Sequence, residues 1–208
     1  MINLVRNLEI KKGRKFDQVV EGARTVFLRD GYEGASVDDI ARESQVSKAT
    51  LYSYFPDKRV LFIEIASREM KRQADEGAGS LDMTAPPEVL LPIVGRKLID
   101  YMLSDFGLAI FRTAVAESDR FPEVGRKFYE SGPMLVRDRI TDYLETCIAR
   151  GELLIDDVPL AAEQFAELCK VRSVLCCTFD MECDFNCAER DRIVASAVRM
   201  FMAAYRAP

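Results

Sequence analysis

The sequence predicts an all-α fold of about nine helices, and three observations carry that reading. Apolar residues recur at i, i+3 and i+4 in one segment after another, the spacing of a helix face. No segment shows the apolar–polar alternation of a half-buried strand, and no internal repeat is present. Gly and Pro punctuate the periodic stretches at Gly31, Pro56, residues 76–87, Pro122, Gly132-Pro133 and Gly151. The chain is expected to divide into residues 12–72 and residues 73–208.

Residues 1–12 read as a frayed arm, with Lys11, Lys12 and Arg14 at its end. Phe16, Val19, Val20, Ala23, Val26 and Phe27 then form a clean stripe over a helix from about Arg14 to Asp30. Gly31 is its expected C-cap. Ser36 is an N-cap candidate, with Asp39 three residues on, close to a capping box. Val37, Ile40 and Ala41 share a face of the helix that follows, which ends near Ser44. Val46 is apolar and plugs the angle before Ser47, a second N-cap candidate. A short helix starts at Lys48. Two short helices joined by a tight turn, packed on the first, make a three-helix headpiece of helix-turn-helix type.

The residue types suit nucleic acid. Lys48 is a cation at a helix N-terminus, where it opposes the dipole and gains from an anionic partner. Thr50, Tyr52, Ser53 and Tyr54 offer hydroxyls to phosphate oxygens. The helix start at Ser36 and Val37 suits a phosphate as well. The candidate DNA contacts are Ser36, Val37, Ser47, Lys48, Ala49, Thr50, Tyr52, Tyr54 and Lys58. The alternative is a helical hairpin with a solvated polar face.

Pro56-Asp57-Lys58 reads as a stop and a new start, opening a helix from Lys58 to about Asp75. Residues 76–87, rich in Gly, Pro and small side chains, are the clearest expected loop. Further helices are expected over 88–103, with Pro92 as a candidate kink, and over 105–117, 122–131 and 133–150, the last closed by Gly151. Two more run over 159–179 and 186–206.

Composition narrows the chemistry. The 208 residues are 49% apolar and 30% charged, suited to a globular core. There is no His and no Trp, which removes the commonest general base and metal ligand. No Walker loop, G-x-G-x-x-G or H-E-x-x-H motif appears, and no cofactor is expected. Net charge is −5, but it is divided unevenly. Residues 1–72 hold 14 Lys/Arg against 11 Asp/Glu, a net of +3, and residues 73–208 hold 15 against 23, a net of −8. The basic part coincides with the motif. No apolar run approaches a membrane span, and the N-terminus lacks a signal-peptide core, so a cytoplasmic protein with no membrane partner is expected.

The stretch from about Arg14 to Lys71 resembles the TetR/AcrR family of bacterial transcriptional regulators. Phe27, Gly31, Tyr32 and Gly34 match an F-x-x-x-G-Y-x-G approach. Leu51, Tyr52, Tyr54 and Phe55 match an L-Y-x-Y-F core, followed by Pro56 and Lys58. Gln45 departs from the pattern, since many relatives have Gly in that turn. The resemblance is looser over residues 116–133 and 150–153.

The resemblance implies a non-enzymatic repressor on a palindromic double-stranded operator, released by a small hydrophobic or aromatic effector. It implies that the C-terminal part binds this effector and forms a homodimer through the last two helices. Candidate ligand contacts are Phe62, Ile65, Tyr101, Met102, Phe106 and Phe111, with Phe128, Tyr129 and Cys169. Arg112 and Arg172 are candidate orienting groups. Leu168, Val171, Leu175, Val194, Val198 and Phe201 are the candidate dimer stripe.

All six cysteines follow residue 146: Cys147, Cys169, Cys176, Cys177, Cys183 and Cys187. They read as small apolar filler, with a thiol sensor or soft-metal site as the alternative; their spacing matches no paired C-x-x-C pattern. A rival of another class is a small-molecule-binding enzyme or scavenger that keeps the headpiece.

Overall fold

The computed structural model describes residues 13–79, 81–181 and 184–208, so the expected roles of Lys11, Lys12 and Cys183 lie outside the described residues. The described elements are helices α1 (Arg14–Gly34), α2 (Val37–Glu43), α3 (Lys48–Tyr54) and α4 (Lys58–Gly79), then α5 (Pro87–Met102), α6 (Asp105–Glu117) and α7 (Pro122–Ser131). They continue with α8 (Pro133–Ala149), α9 (Val158–Cys169), α10 (Ser173–Thr178) and α11 (Cys187–Tyr205). Among the described residues there is no strand, only an isolated bridge between Leu153 and Arg206. No helix described is long and apolar enough to cross a membrane.

The chain forms two compact units, divided after Ala66. That border falls inside α4, six residues before the expected one, because α4 is one continuous helix. The expected loop over 76–87 is shorter than predicted for the same reason: α4 runs on to Gly79, and Asp82 caps a tight turn by accepting from the Thr84 amide at 2.9 Å.

In the smaller unit, the α1 stripe is buried as its period requires. Phe16 stacks on Phe55 with ring centroids 5.4 Å apart, and Phe27 meets Phe62 edge-on at 5.0 Å. Each such fully buried side chain contributes roughly 1.5–3 kcal/mol. Gly31, at φ 71 and ψ 179, breaks the helical path in a conformation open almost only to glycine. Gly22 allows α1 to cross the end of α2: a Cβ there would lie 2.7 Å from the Ser44 backbone nitrogen.

In the larger unit, α5, α8, α9 and α11 enclose one core. Leu91, Ile99, Leu144, Phe165, Val194 and Phe201 are among its members. Pro92 lies within α5 without ending it, in the second turn, where its missing N–H forgoes a single bond. The helix expected over 159–179 is two helices. Arg172 between them has φ 56, and the Ser173 amide donates to the Val171 carbonyl at 2.7 Å, which reverses the chain locally.

Val194, Val198 and Phe201 correct the expected dimer stripe. They are at most 9% exposed and belong to the chain's own core. Leu168 also packs against that core. Val171 and Leu175 do face outward, and Phe179, Met181 and Met200 are exposed as well.

Candidate nucleic-acid interface and ligand cavity

The helix-turn-helix is fixed by three local devices. The Ser36 hydroxyl accepts from the Asp39 amide at 3.0 Å and donates to the Asp39 carboxylate, which also holds Arg42. These bonds keep the Asp39 carboxyl below the usual range, Ser36 first and Arg42 second. At the other end of α2, the Val46 amide reaches back to the Ala41 carbonyl (3.0 Å) and the Gln45 amide to the Arg42 carbonyl (3.1 Å). That pair of bonds is a Schellman motif with Gln45 in the left-handed position, φ 54. Ser47 then caps α3 by accepting from the Thr50 amide at 3.1 Å, and its oxygen lies 2.9 Å from the Thr50 hydroxyl.

The outer face of α3 carries Lys48, Ala49, Tyr52 and Ser53, all exposed and spaced i, i+1, i+4, i+5. Leu51 points into the core on the opposite side. Ser53 is missing from the nine expected contacts, although its helical spacing from Lys48 and Ala49 already placed it on this face. Thr50 and Tyr54 are half-buried, with the Tyr54 ring edge-on to Phe16 at 5.7 Å. Lys48 pairs with Asp38 in the first turn of α2, which raises its pKa and supplies the anion that its position demands. Ser36 and Val37 are half-buried at the start of α2.

Lys58, half-buried, is engaged within the smaller unit. Its ammonium donates to the Ala35 carbonyl at 2.8 Å and sits 4.4 Å from the centre of the Tyr32 ring, and burial lowers its pKa. It acts as a strut between the start of α4 and the α1–α2 connection.

A cavity of about 260 Å³ lies within the larger unit. Tyr101, Met102, Phe111, Phe128 and Tyr129 line it, as expected. Six other expected residues do not line this cavity. Phe62 and Ile65 are buried in the smaller unit, where Phe62 packs on Phe27 and Tyr32. Phe106 is one position off the stripe of Gly107, Ile110 and Phe111. Cys169 faces Gly95, whose hypothetical Cβ would lie 2.9 Å from its sulfur. Arg112 donates to the Cys177 carbonyl. Arg172 donates to Glu189 at 2.7 Å and lies over Phe185. The sequence reading missed Met70, Val136, Arg137, Glu163 and Lys170, which reach the wall from α4, α8, the middle of α9 and its C-cap.

Three of the described thiols, Cys147, Cys169 and Cys177, are held in the unreactive form by burial. Burial pushes Cys169 up to about 12 and raises Cys147 and Cys177, despite Arg150 beside Cys147 and Arg190 and Arg112 near Cys177. No group of three or more His, Cys, Asp or Glu placed to hold a metal occurs among the described residues.

Residues 19–65 match the family described as bacterial regulatory proteins, tetR family. Residues 89–207 match the C-terminal domain of the AefR-like transcriptional repressors. The transcriptional repressor AcnR of Corynebacterium diphtheriae is 33% identical over 91 residues, 41% of this chain and 47% of that protein. The chain thus spans about half the length, or less, of the curated relatives it matches. A putative TetR-family regulator of Mesorhizobium loti has a similar structure, with a TM-score of 0.78 at 28% identity over 93% of this chain and 97% of that one. The flavonoid-responsive regulator FrrA is similar at 30% identity, with a TM-score of 0.67 over 94% of this chain and 98% of that one.

Proposed function

The chain belongs to the TetR family of bacterial regulatory proteins, with an AefR-like C-terminal domain, and from that premise we propose that it is a cytoplasmic homodimeric repressor released from a palindromic operator by a small hydrophobic aromatic compound. Residues 12–72 act on DNA and residues 73–208 bind the effector and the second subunit. The outer face of α3 enters the major groove, and two such helices about 34–36 Å apart reach successive grooves.

The observation that carries the reading is the position of Met70. It lines the cavity, and it belongs to α4, the helix that begins at Lys58 directly after α3. A ligand that displaces Met70 moves α4, and a shift of a few ångströms in the spacing of two recognition helices abolishes simultaneous docking. An aromatic effector suits the Phe111, Phe128 and Tyr129 wall. The name of FrrA, a flavonoid-responsive relative, supports the same class.

The experiment is fluorescence anisotropy on the chain's own promoter region. Lys48→Ala and Tyr54→Phe should each weaken binding, and Lys48→Ala should lower the salt slope by about one unit as a phosphate contact is lost. Unchanged affinity and slope in both variants would remove α3 from the interface.

A further inference from the structure

The cavity in the larger unit is built from two unlike groups of helices. Met102, Ile110, Phe111 and Phe128, from α5, α6 and α7, supply apolar wall, and the Phe111 and Phe128 rings meet at a tilt with centroids 6.1 Å apart. Tilted rings offer a face and an edge to a third ring. The charged residues of the lining, among the described residues, all come from the other helices: Arg137 on α8, Glu163 and Glu167 on α9, and Lys170 at the α9 C-cap. Glu163, Glu167 and Lys170 share one face at i, i+4 and i+7.

These charges differ in exposure, and always in the same direction. The Arg137 and Lys170 side chains are 29% and 22% exposed, whereas the acids that pair with them, Asp138, Glu163 and Glu167, are 53%, 45% and 71% exposed. Each cation is the more withdrawn member of its pair. Pairs with such exposed acids are weak, so the acids can turn to water at little cost and leave the cations to another anion. This asymmetry separates three kinds of ligand. An anionic head that replaces the acids keeps both withdrawn cations matched. A neutral head covers the cations without matching them. A cationic head either crowds them or drives them from the acids, which leaves withdrawn charge unpaired. Size limits the rest of the ligand: about 260 Å³ is below the usual range of roughly 300–1,000 Å³ for small-molecule sites, which suits a compact ring body.

We propose that the cavity takes a compact aromatic carboxylate, with its ring against Phe111 and Phe128 and its carboxylate on Arg137 and Lys170. This rests on the reading of the cavity as the effector site and adds a head group to the aromatic class. Three probes with one ring system, substituted at the same position and differing in charge, test it by titration calorimetry: naphthoate, naphthamide and naphthylmethylammonium. Naphthoate should bind about tenfold more tightly than either of the others. Arg137→Gln and Lys170→Gln should each weaken naphthoate about tenfold, the size of one charge-assisted hydrogen bond, and leave naphthamide within about twofold. Glu163→Gln and Glu167→Gln should tighten naphthoate, because the competing acids are gone. All these variants break only weak pairs and should keep the melting curve of the unmodified protein. Equal losses for naphthoate and naphthamide in the cation variants, no loss for naphthoate, weaker naphthoate in both acid variants, failure of naphthoate to bind, or tightest binding of the amide or the ammonium would each overturn the proposal. Val136→Phe, which fills the cavity, tests the underlying reading separately. If the amide or the ammonium is the probe that binds, releases operator DNA and is blocked by Val136→Phe, the effector site stands and the carboxylate proposal falls. If Val136→Phe leaves naphthoate binding unchanged, the naphthoate site is elsewhere and both fall.

Discussion

Gln45 holds the left-handed position that closes α2, at φ 54, where glycine is the ordinary occupant. A left-handed conformation costs a side chain with a Cβ about 1–2 kcal/mol. The turn forms nonetheless, because two backbone bonds and the caps at Ser36 and Ser47 determine its shape. Gln45→Gly should relieve that strain and lose part of the gain to the unfolded chain, for a net stabilisation of up to about 1 kcal/mol. A chemical-denaturation midpoint that falls in this variant would show that the Gln45 side chain contributes something the backbone does not reveal. Lys48 is a different case. Its pair with Asp38 is exposed, at 57% and 66%, and such pairs contribute little, so Lys48 can leave Asp38 for a phosphate at small cost. The thiols follow from burial. Burial raises Cys147, Cys169 and Cys177, so these three carry little thiolate at neutral pH, and mild peroxide should leave operator binding intact. Peroxide-driven release that disappears in Cys→Ser variants at 183 and 187 would establish a redox switch.

At the scale of elements, periodicity located the helices but not the side on which α11 meets its own core. One apolar stripe runs along that helix. Ile193, Val194, Ala197, Val198, Phe201 and Met202 face inward, while Ala195, Met200 and Ala203 face out. Val194, Val198 and Phe201 have the spacing of one face, and spacing does not say whether that face is covered by the chain's own core or by a second subunit. The headpiece was more legible, because its signals are local: Ser36 and Ser47 cap the helices, and Phe16, Phe27 and Leu51 sit on single stripes. The break at Arg172 was not, since no Gly or Pro marks it and a residue with φ 56 gives no sign in composition. The cavity was legible only where aromatics announced it; the resemblance does not say which way Cys169 and Arg172 point, and they meet Gly95 and Glu189 instead. For the dimer, Met200→Glu and Leu175→Glu should keep the fold and yield monomers that lose the operator. Phe201→Ala should instead lower stability by about 3–5 kcal/mol, because it opens a core cavity. Sedimentation showing dimers in both outer-face variants would move the interface away from α10 and α11.

For the whole molecule, charge and coupling decide how it is used. The net of +3 over residues 1–72 is modest, so on the proposed reading DNA affinity would come from a few placed contacts doubled by a second subunit rather than from a broad basic field. An effector acting against that affinity is bound by linkage. A ligand that binds the native state alone stabilises it by about 2.7 kcal/mol at a hundred times its dissociation constant, whatever it does to DNA. Thermal stabilisation therefore establishes binding and nothing more. Release requires a coupling free energy, of order 1–3 kcal/mol, and coupling is reciprocal. If an aromatic compound weakens operator affinity thirtyfold ("thirtyfold" here standing for roughly 2 kcal/mol), then saturating operator DNA must weaken that compound by the same factor. The expected result is equal factors from two titrations, ligand into protein with and without operator, and operator into protein with and without ligand. A compound that raises the melting temperature, yet leaves operator affinity unchanged, would show that displacement of Met70 is absorbed within the larger unit and is not carried along α4.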